Sequence, residues 1–233
     1  MFNKLFGKKE VTAPTKISLE KRVETFKVSL DKTNIGNRKF QVEIVMDRSG
    51  SMDWMYDNGT VKDTYERIMA IALTLDDNGE LGSYAFHNRL FNLPNVTHKN
   101  YENYVKTNIE PISSSGTSYA PFIGEMIQKY KSGKIDNPAL CIVFTDGECD
   151  DENEAEILIK EASNYPVFFK FIGLGNESFR FLRRLDDVSG RYVDNADFKQ
   201  IQDIKNTSDS ELYDMILDEL EGWVKSYNAK AGN

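Results

Sequence analysis

The sequence predicts an α/β fold in which a mostly parallel central sheet is flanked by helices. Three observations predict it. From Lys39 onward, short apolar runs alternate with segments of helical periodicity. The run Ala139–Thr145 is almost continuously apolar, as strands are when helices cover both faces of a sheet. The chain has 233 residues, 40% apolar and 28% charged. That composition suits a folded chain, and that length suits one large domain or a domain with a small appendage.

The elements follow in order. Residues 1–16 are a basic, proline-containing leader, too short and polar for a secretory signal. Its Phe2, Leu5 and Phe6, helped by lysines, could touch a membrane surface, but the preferred reading is a tail without such contact. Residues 17–37 form an amphipathic segment. Leu19, Val23, Phe26 and Leu30 share one helical face behind Ser18 as N-cap, while the alternation of Val28 and Leu30 leaves a strand open.

The first strand spans 40–46. A helix over 61–75 follows, with Tyr65, Ile68, Met69, Ala72 and Leu75 on its stripe, closed by the turn Asp76-Asp77-Asn78-Gly79. Leu81–Phe86 is the second strand, and 89–91 can return antiparallel to it. A short helix covers 101–108, a Ser/Gly/Thr loop 113–118 and a helix 119–131. After the strand Ala139–Thr145 come a helix over 151–164, the strand Val167–Leu174, a short helix over 179–185, a last strand at 190–193 and a closing helix over 211–225. A domain of 38–226 and a tail of 227–233 result.

Composition removes several function classes. The formal charge of −8 disfavours nonspecific binding to nucleic acid. No apolar stretch approaches the roughly 20 residues of a membrane span. The two cysteines, Cys141 in an apolar run and Cys149 in a loop, are expected to be free thiols of a reducing cytosol. His87 and His98 have no nucleophile at a suggestive spacing, so histidine-based catalysis is poorly supported.

Three separate loops carry small oxygen donors. Asp47-Arg48-Ser49-Gly50-Ser51 follows the first strand directly, with a carboxylate and two hydroxyls at alternate positions. Thr117 follows Ser115-Gly116, and Asp146 ends the apolar strand in Thr145-Asp146-Gly147. Oxygens of this type suit a hard divalent cation, and the carboxyl ends of parallel strands are where open α/β sheets bind ligands. Each loop alone is most often a turn or a helix cap. The three together, in this order, are specific.

These motifs resemble the metal-ion-dependent adhesion site of von Willebrand factor type A domains. The likeness covers about residues 38–226. It implies a Rossmann-like, doubly wound α/β fold with a short N-terminal helical extension here, and a divalent cation held by Asp47, Ser49, Ser51, Thr117 and Asp146. Magnesium is the first choice, with manganese or calcium as alternatives. The segments Asp53-Trp54-Met55-Tyr56, Gly116-Thr117-Ser118-Tyr119-Ala120-Pro121, Phe171-Ile172-Gly173-Leu174-Gly175 and Phe181-Leu182-Arg183-Arg184-Leu185-Asp186-Asp187 are similar to the bacterial tellurium-resistance (Ter) branch. That branch implies a cytoplasmic stress-response module, found also in phages, whose protein partner supplies an acidic side chain to the metal. Other Ter-type proteins are candidate partners; no catalytic residue and no nucleic acid is implied.

The alternatives are a metal-dependent phosphohydrolase using Asp47 and a structural subunit whose metal only stabilises loops. Against the enzyme, Ser49 stands where a second aspartate would serve as acid/base, and no phosphate loop ends in Lys-Ser or Lys-Thr. Trp54, Met55 and Tyr56 either anchor a partner or pack under the first loop. The acidic run from Asp146 to Glu156 reads as a charged helix start and solvated face, or as a second cation site. Lys170, inside an apolar strand, is expected to snorkel at a strand end.

Overall fold

The computed structural model describes residues 17–231; the leader 1–16 and the last two residues lie outside the described residues. The chain opens with helix α1 (Leu19–Leu30), then β1 (Gln41–Asp47), a 3-10 turn at Gly50–Met52, α2 (Asp53–Asp57) and α3 (Thr60–Leu75). Strands β2 (Leu81–Phe86) and β3 (Leu90–Val96) form a hairpin, followed by α4 (Tyr104–Asn108) and α5 (Ala120–Tyr130). The second half is β4 (Ala139–Thr145), α6 (Glu152–Ala162), β5 (Val167–Leu174), α7 (Arg180–Asp186), β6 (Ala196–Ile201), α8 (Asp209–Leu217) and α9 (Leu220–Ala231).

The six strands form one sheet in the order β3-β2-β1-β4-β5-β6, parallel throughout except for β3 against β2. Residues of β4 and β5 are buried along their whole length, because successive side chains point to opposite, helix-covered faces. Val42, Ile44, Met46, Leu140, Ile142, Phe144, Phe168 and Ile172 join the core under α1, α3, α8 and α9. Val45, Cys141, Val143, Phe169 and Phe171 join the core under α5, α6 and α7. The predicted α/β architecture is the observed one, and Cys141 and Cys149 are both free and buried.

The N-terminal segment is a helix, capped by Ser18, whose Oγ accepts the Lys21 N–H at 3.3 Å. Its Phe26 meets Tyr213 edge-on at 5.3 Å. Arg22, 4% exposed, is held by Asp63, Glu66 and Asp209 of α3 and α8. Val28, whose alternation with Leu30 suggested a strand, faces outward.

Four expectations need correction. The last strand is Ala196–Ile201 and not 190–193; it pairs parallel with β5 from Phe169↔Ala196 to Leu174↔Ile201. Residues 190–193 turn instead, with Gly190 at φ 87° and the Tyr192 N–H donating to Ser163 Oγ at 2.7 Å. Asp197 and Lys199 disguised the strand, because the partners that let Asp197 be buried include Lys170, and Lys199 also reaches Asp218, both distant in sequence. The closing helix is two helices. They break at Asp218-Glu219, where Glu219 takes φ 63°, a conformation uncommon for a residue with a side chain. The second helix runs past Lys225 to Ala231, into the stretch read as a tail.

Lys170 does not snorkel. It is fully buried on the α8–α9 side of the sheet, paired with the equally buried Asp197, and its Nζ donates to the Asp218 carbonyl at 2.7 Å. Lys199 bridges the Asp197 and Asp218 carboxylates at 3.1 and 2.8 Å. This network ties β5 and β6 to the α8–α9 break.

Candidate metal centre

The metal-loop residues meet at the carboxyl ends of β1 and β4, adjacent strands at the middle of the sheet. Asp47 is the last residue of β1 and is fully buried. Its Oδ1 accepts the Ser49 N–H at 2.7 Å and its Oδ2 accepts the Thr145 hydroxyl at 2.6 Å. Ser49 Oγ lies 3.1 Å from Ser51 Oγ, and Ser51 donates to Asp146 Oδ1 at 2.7 Å. Asp47, Ser49, Ser51 and Asp146 therefore form one hydrogen-bonded array drawn from two strand ends.

The second loop is joined to the first by a parallel bridge between Ser49 and Ser115, with the Gly50 N–H on the Ser115 carbonyl at 3.1 Å. Thr117 lies two residues beyond this bridge. Its carbonyl accepts the Asp150 N–H at 2.9 Å, which ties it to the loop after β4. The sequence-predicted residues thus come from three loops that touch one another. The direct side-chain array takes in four of them, and Thr117 is placed beside it through its backbone.

The electrostatics favour a cation. Burial pushes the Asp47 carboxyl up to about 6; hydrogen bonds from Thr145 and Ser49 oppose this, and the charge of Asp146 adds to it. Burial also raises the Asp146 carboxyl. Among the described residues no lysine or arginine pairs with either carboxylate. A buried and a half-buried carboxylate with hydroxyls between them form an oxygen donor set that fits a hard divalent ion. Asp47, Ser49, Ser51, Thr117 and Asp146 are the residues that would hold it.

The sign of the pH dependence follows. An unfolded aspartate titrates near 3.9, well below folded Asp47. The metal-free fold therefore keeps this proton over a window where the unfolded chain has lost it. The stabilisation is complete below about pH 4 and is lost as pH rises through 6, by up to about 3 kcal/mol. Urea unfolding in EDTA across that window should show a steeper loss of stability with rising pH in wild type than in Asp47→Asn, the remaining slope coming from other carboxyls that burial raises, such as Asp186.

Sequence reasoning missed the residues that fix the loops. Tyr119, fully buried, donates its hydroxyl to the Gly147 carbonyl at 2.7 Å and lies 3.3 Å from Thr145 Oγ1. Its N–H and that of Ala120 donate to the two oxygens of Asp151, both at 2.8 Å. One residue therefore ties the start of α5 to both ends of the loop after β4. Its phenol gave no sequence signal, since its partners lie beyond residue 144. Replacing Tyr119 by Phe should reduce divalent-ion affinity about tenfold, within the usual range for groups that orient ligands. Manganese titration followed by electron paramagnetic resonance checks this.

The neighbouring residues divide cleanly. Tyr56 packs under the first loop, donating its hydroxyl to the Asp47 carbonyl at 2.7 Å, with the Arg48 guanidinium over its ring. Met55 is buried, whereas Trp54 is 58% exposed. Asp53 pairs with Arg48 at 2.5 Å and accepts from Ser114 at 3.2 Å. Within the acidic run, Asp151 caps α5 rather than its own helix. Glu148 accepts the N–H groups of Arg180 and Phe181 at 2.6 and 3.1 Å, capping α7. Burial pushes the Cys149 thiol up, so it is a poor nucleophile.

Comparison with known proteins agrees with this fold. Residues 39–232 match the family model of vWA-TerF-like domains, described as the von Willebrand factor type A domain found in the TerF C terminus. The Bacillus subtilis (strain 168) protein YcbR is 34% identical over 219 residues, covering 92% of this chain and 88% of that one. Among solved structures, a von Willebrand factor type A protein from Catenulispora acidiphila superposes with a TM-score of 0.58 at 16% identity. The match covers 79% of this chain and 43% of the other, so this chain spans less than half of that protein. The manganese-loaded Plasmodium vivax TRAP protein gives a TM-score of 0.54 at 14% identity, covering 79% and 74%. Proximal thread matrix protein 1 from the mussel byssus, with zinc in its metal-ion-dependent adhesion motif, gives 0.50 at 16%, covering 84% and 48%.

Proposed function

Because this chain belongs to the vWA-TerF-like family of von Willebrand factor type A domains, we propose that it is a divalent-cation-dependent protein-binding module. Asp47, Ser49, Ser51, Thr117 and Asp146 hold the ion, with magnesium as the expected physiological metal. The ion supplies a Lewis-acidic dock, and a partner's acidic side chain completes its coordination. The observation that carries this reading is the array of Asp47, Ser49, Ser51 and Asp146, with one buried and one half-buried carboxylate and no described lysine or arginine to neutralise them.

Three parts of the chain divide the work. Asp47 and Asp146 supply negative charge, and the hydroxyls of Ser49 and Ser51 add neutral oxygens. Donors so few leave coordination positions open on a bound ion, where its Lewis acidity is available to an incoming carboxylate. The bridges between the three loops set the donors' positions before binding, which lowers the entropic cost of closing the coordination shell.

The cellular setting proposed is a cytoplasmic stress-response complex of the tellurium-resistance type, with other Ter-type proteins as partners. Among the described residues no helix is long and apolar enough to cross a membrane. Von Willebrand factor type A domains are generally interaction modules, and the centre described here lacks a second aspartate two residues after Asp47 to act as acid/base. We therefore prefer binding to phosphoryl transfer.

Calorimetry with magnesium and manganese, together with affinity capture from bacterial lysate in the presence and absence of EDTA, tests the reading. Saturable ion binding and EDTA-sensitive recovery of a defined protein are expected. Ion binding that raises the melting temperature while capture ignores EDTA would instead assign the metal a purely stabilising role.

A further inference from the structure

Helix α7 takes its N-terminal cap from another part of the chain. Its N-cap position is held by Phe179, whose side chain has no acceptor to offer and makes no capping bond. The first N–H groups of a helix have no partner within it. Glu148 supplies the acceptors from 32 residues away. Its Oε1 accepts the Arg180 N–H at 2.6 Å and its Oε2 accepts the Phe181 N–H at 3.1 Å, with the Ser178 hydroxyl 3.4 Å from Oε1. Only Gly147 separates Glu148 from Asp146. The loop that carries an aspartate of the metal centre is therefore also the cap of a helix between β5 and β6.

Core packing fixes the start of α7 that Glu148 grips. Phe179 is fully buried and takes φ 47°, a conformation uncommon for a residue with a side chain. Its ring lies 5.4 Å from that of Phe198 of β6, in space left open by Gly173 of β5, where a Cβ would come within 2.9 Å of it. A backbone of this kind persists only where its surroundings over-determine it. From the α5 side, the Tyr119 hydroxyl holds the Gly147 carbonyl. The segment ahead of α7 also meets the loop through charge: after burial, the charge of Glu177 pushes the Asp146 carboxyl up. A cation at Asp146 would offset that repulsion.

We propose that Glu148 is a positioning residue of the metal centre, clamping the loop that carries Asp146 onto the fixed start of α7. Both of its oxygens are engaged by α7, so it acts through the backbone of its loop and not as a ligand. The clamp works in both directions. If the closed cap strengthens ion binding by some factor, ion binding strengthens the closed cap by the same factor, because one coupling free energy serves both equilibria. An ion held at Asp146 therefore tightens the first turn of α7. This inference rests on the metal-binding reading above and adds how its third loop is held and where ion occupancy is felt.

The experiment uses the full chain and reads manganese affinity by electron paramagnetic resonance and amide exchange by NMR with and without magnesium. Glu148→Ala should weaken manganese binding about tenfold. Saturating magnesium should slow exchange of the Arg180 and Phe181 amides by about the same factor in wild type and leave it unchanged in the variant. The wild-type exchange measurement stands even where a variant folds poorly. Two conservative variants separate position from charge. Glu148→Gln keeps an acceptor of the right length without the charge, and should keep most of the affinity. Glu148→Asp keeps the charge on a shorter side chain, and should lose affinity as alanine does. The reverse order would make Glu148 a purely electrostatic contributor and overturn the inference. Arg184→Ala removes the exposed pair of α7 with Glu152 at 2.7 Å and leaves the cap, so it should bind manganese as wild type does. An equal loss there would assign the effect to general loosening of α7 and overturn the inference too. Normal manganese binding by Glu148→Ala, or magnesium binding that leaves the α7 amides untouched, would overturn it while the metal reading stands. Failure of wild type to bind either ion would remove the metal reading itself, and the inference with it.

Discussion

Replacing Lys170 by methionine is expected to destabilise the protein by about 3 kcal/mol, read as a lowered urea midpoint. Lys170 and Asp197 are both fully buried and paired, and removing one partner of such a pair leaves an uncompensated charge in the core, which typically costs about 3–5 kcal/mol. The lower figure applies because Lys199 still reaches Asp197 at 3.1 Å. The double variant Lys170→Met/Asp197→Leu should recover most of the loss, since two apolar groups of similar volume need no counter-charge. Lys199→Ala, at a side chain 28% exposed, should cost under about 1 kcal/mol. Lys170→Met should also loosen the α8–α9 joint, because the Asp218 carbonyl loses its donor. Faster amide exchange at 219–224 would report this, whereas unchanged exchange would show that the break is held by packing alone. Manganese affinity of the surviving folded protein should stay at the wild-type value, because the lysine approaches none of the metal-loop residues.

The second large effect concerns the ion itself. Asp146→Ala should lower manganese affinity by more than about 100-fold, beyond what loss of an orienting group does. It removes a carboxylate and the acceptor of the Ser51 hydroxyl in one step. Asp47→Asn should act as strongly on affinity. Its amide oxygen can still accept the Ser49 N–H, so the loop keeps its shape. Asp146 lies at the half-buried rim, so its removal should change metal-free stability by less than about 1 kcal/mol. Removing its charge also relieves the repulsion that helps to raise Asp47. An Asp146→Ala protein that binds manganese normally would place the ion elsewhere, and the proposed centre would fail.

Much of the fold was legible because its signals are local. Ser18 caps α1 as its position suggested, the apolar run Ala139–Thr145 is buried on both faces, and the antiparallel return of β3 was visible, though shorter than it is. The loops proposed to hold the ion stood out in the sequence for a related reason: Asp47, Ser49 and Ser51 sit within five residues, and each loop carries its own oxygens. What eluded the sequence has a common cause. β6 contains Asp197 and Lys199, which look like surface residues until Lys170 and Asp218 are placed beside them. The division of 211–225 into α8 and α9 is invisible in an apolar stripe that continues unbroken through Leu212, Ile216, Leu220 and Trp223.

The sequence by itself determined the alternation of strands and helices, the burial of the central strands and the chemical nature of the donor set, because these depend on periodicity and residue type over a few neighbours. Only the tertiary structure decided which strand lies beside which. With that it decided that Asp47 and Asp146 share one rim, that Tyr119 fastens two of its loops, and that Trp54 rather than Tyr56 faces out. Charge neutralisation and hydrogen bonding across such distances are properties of atoms brought together by the sheet, and no short window of residues contains both partners.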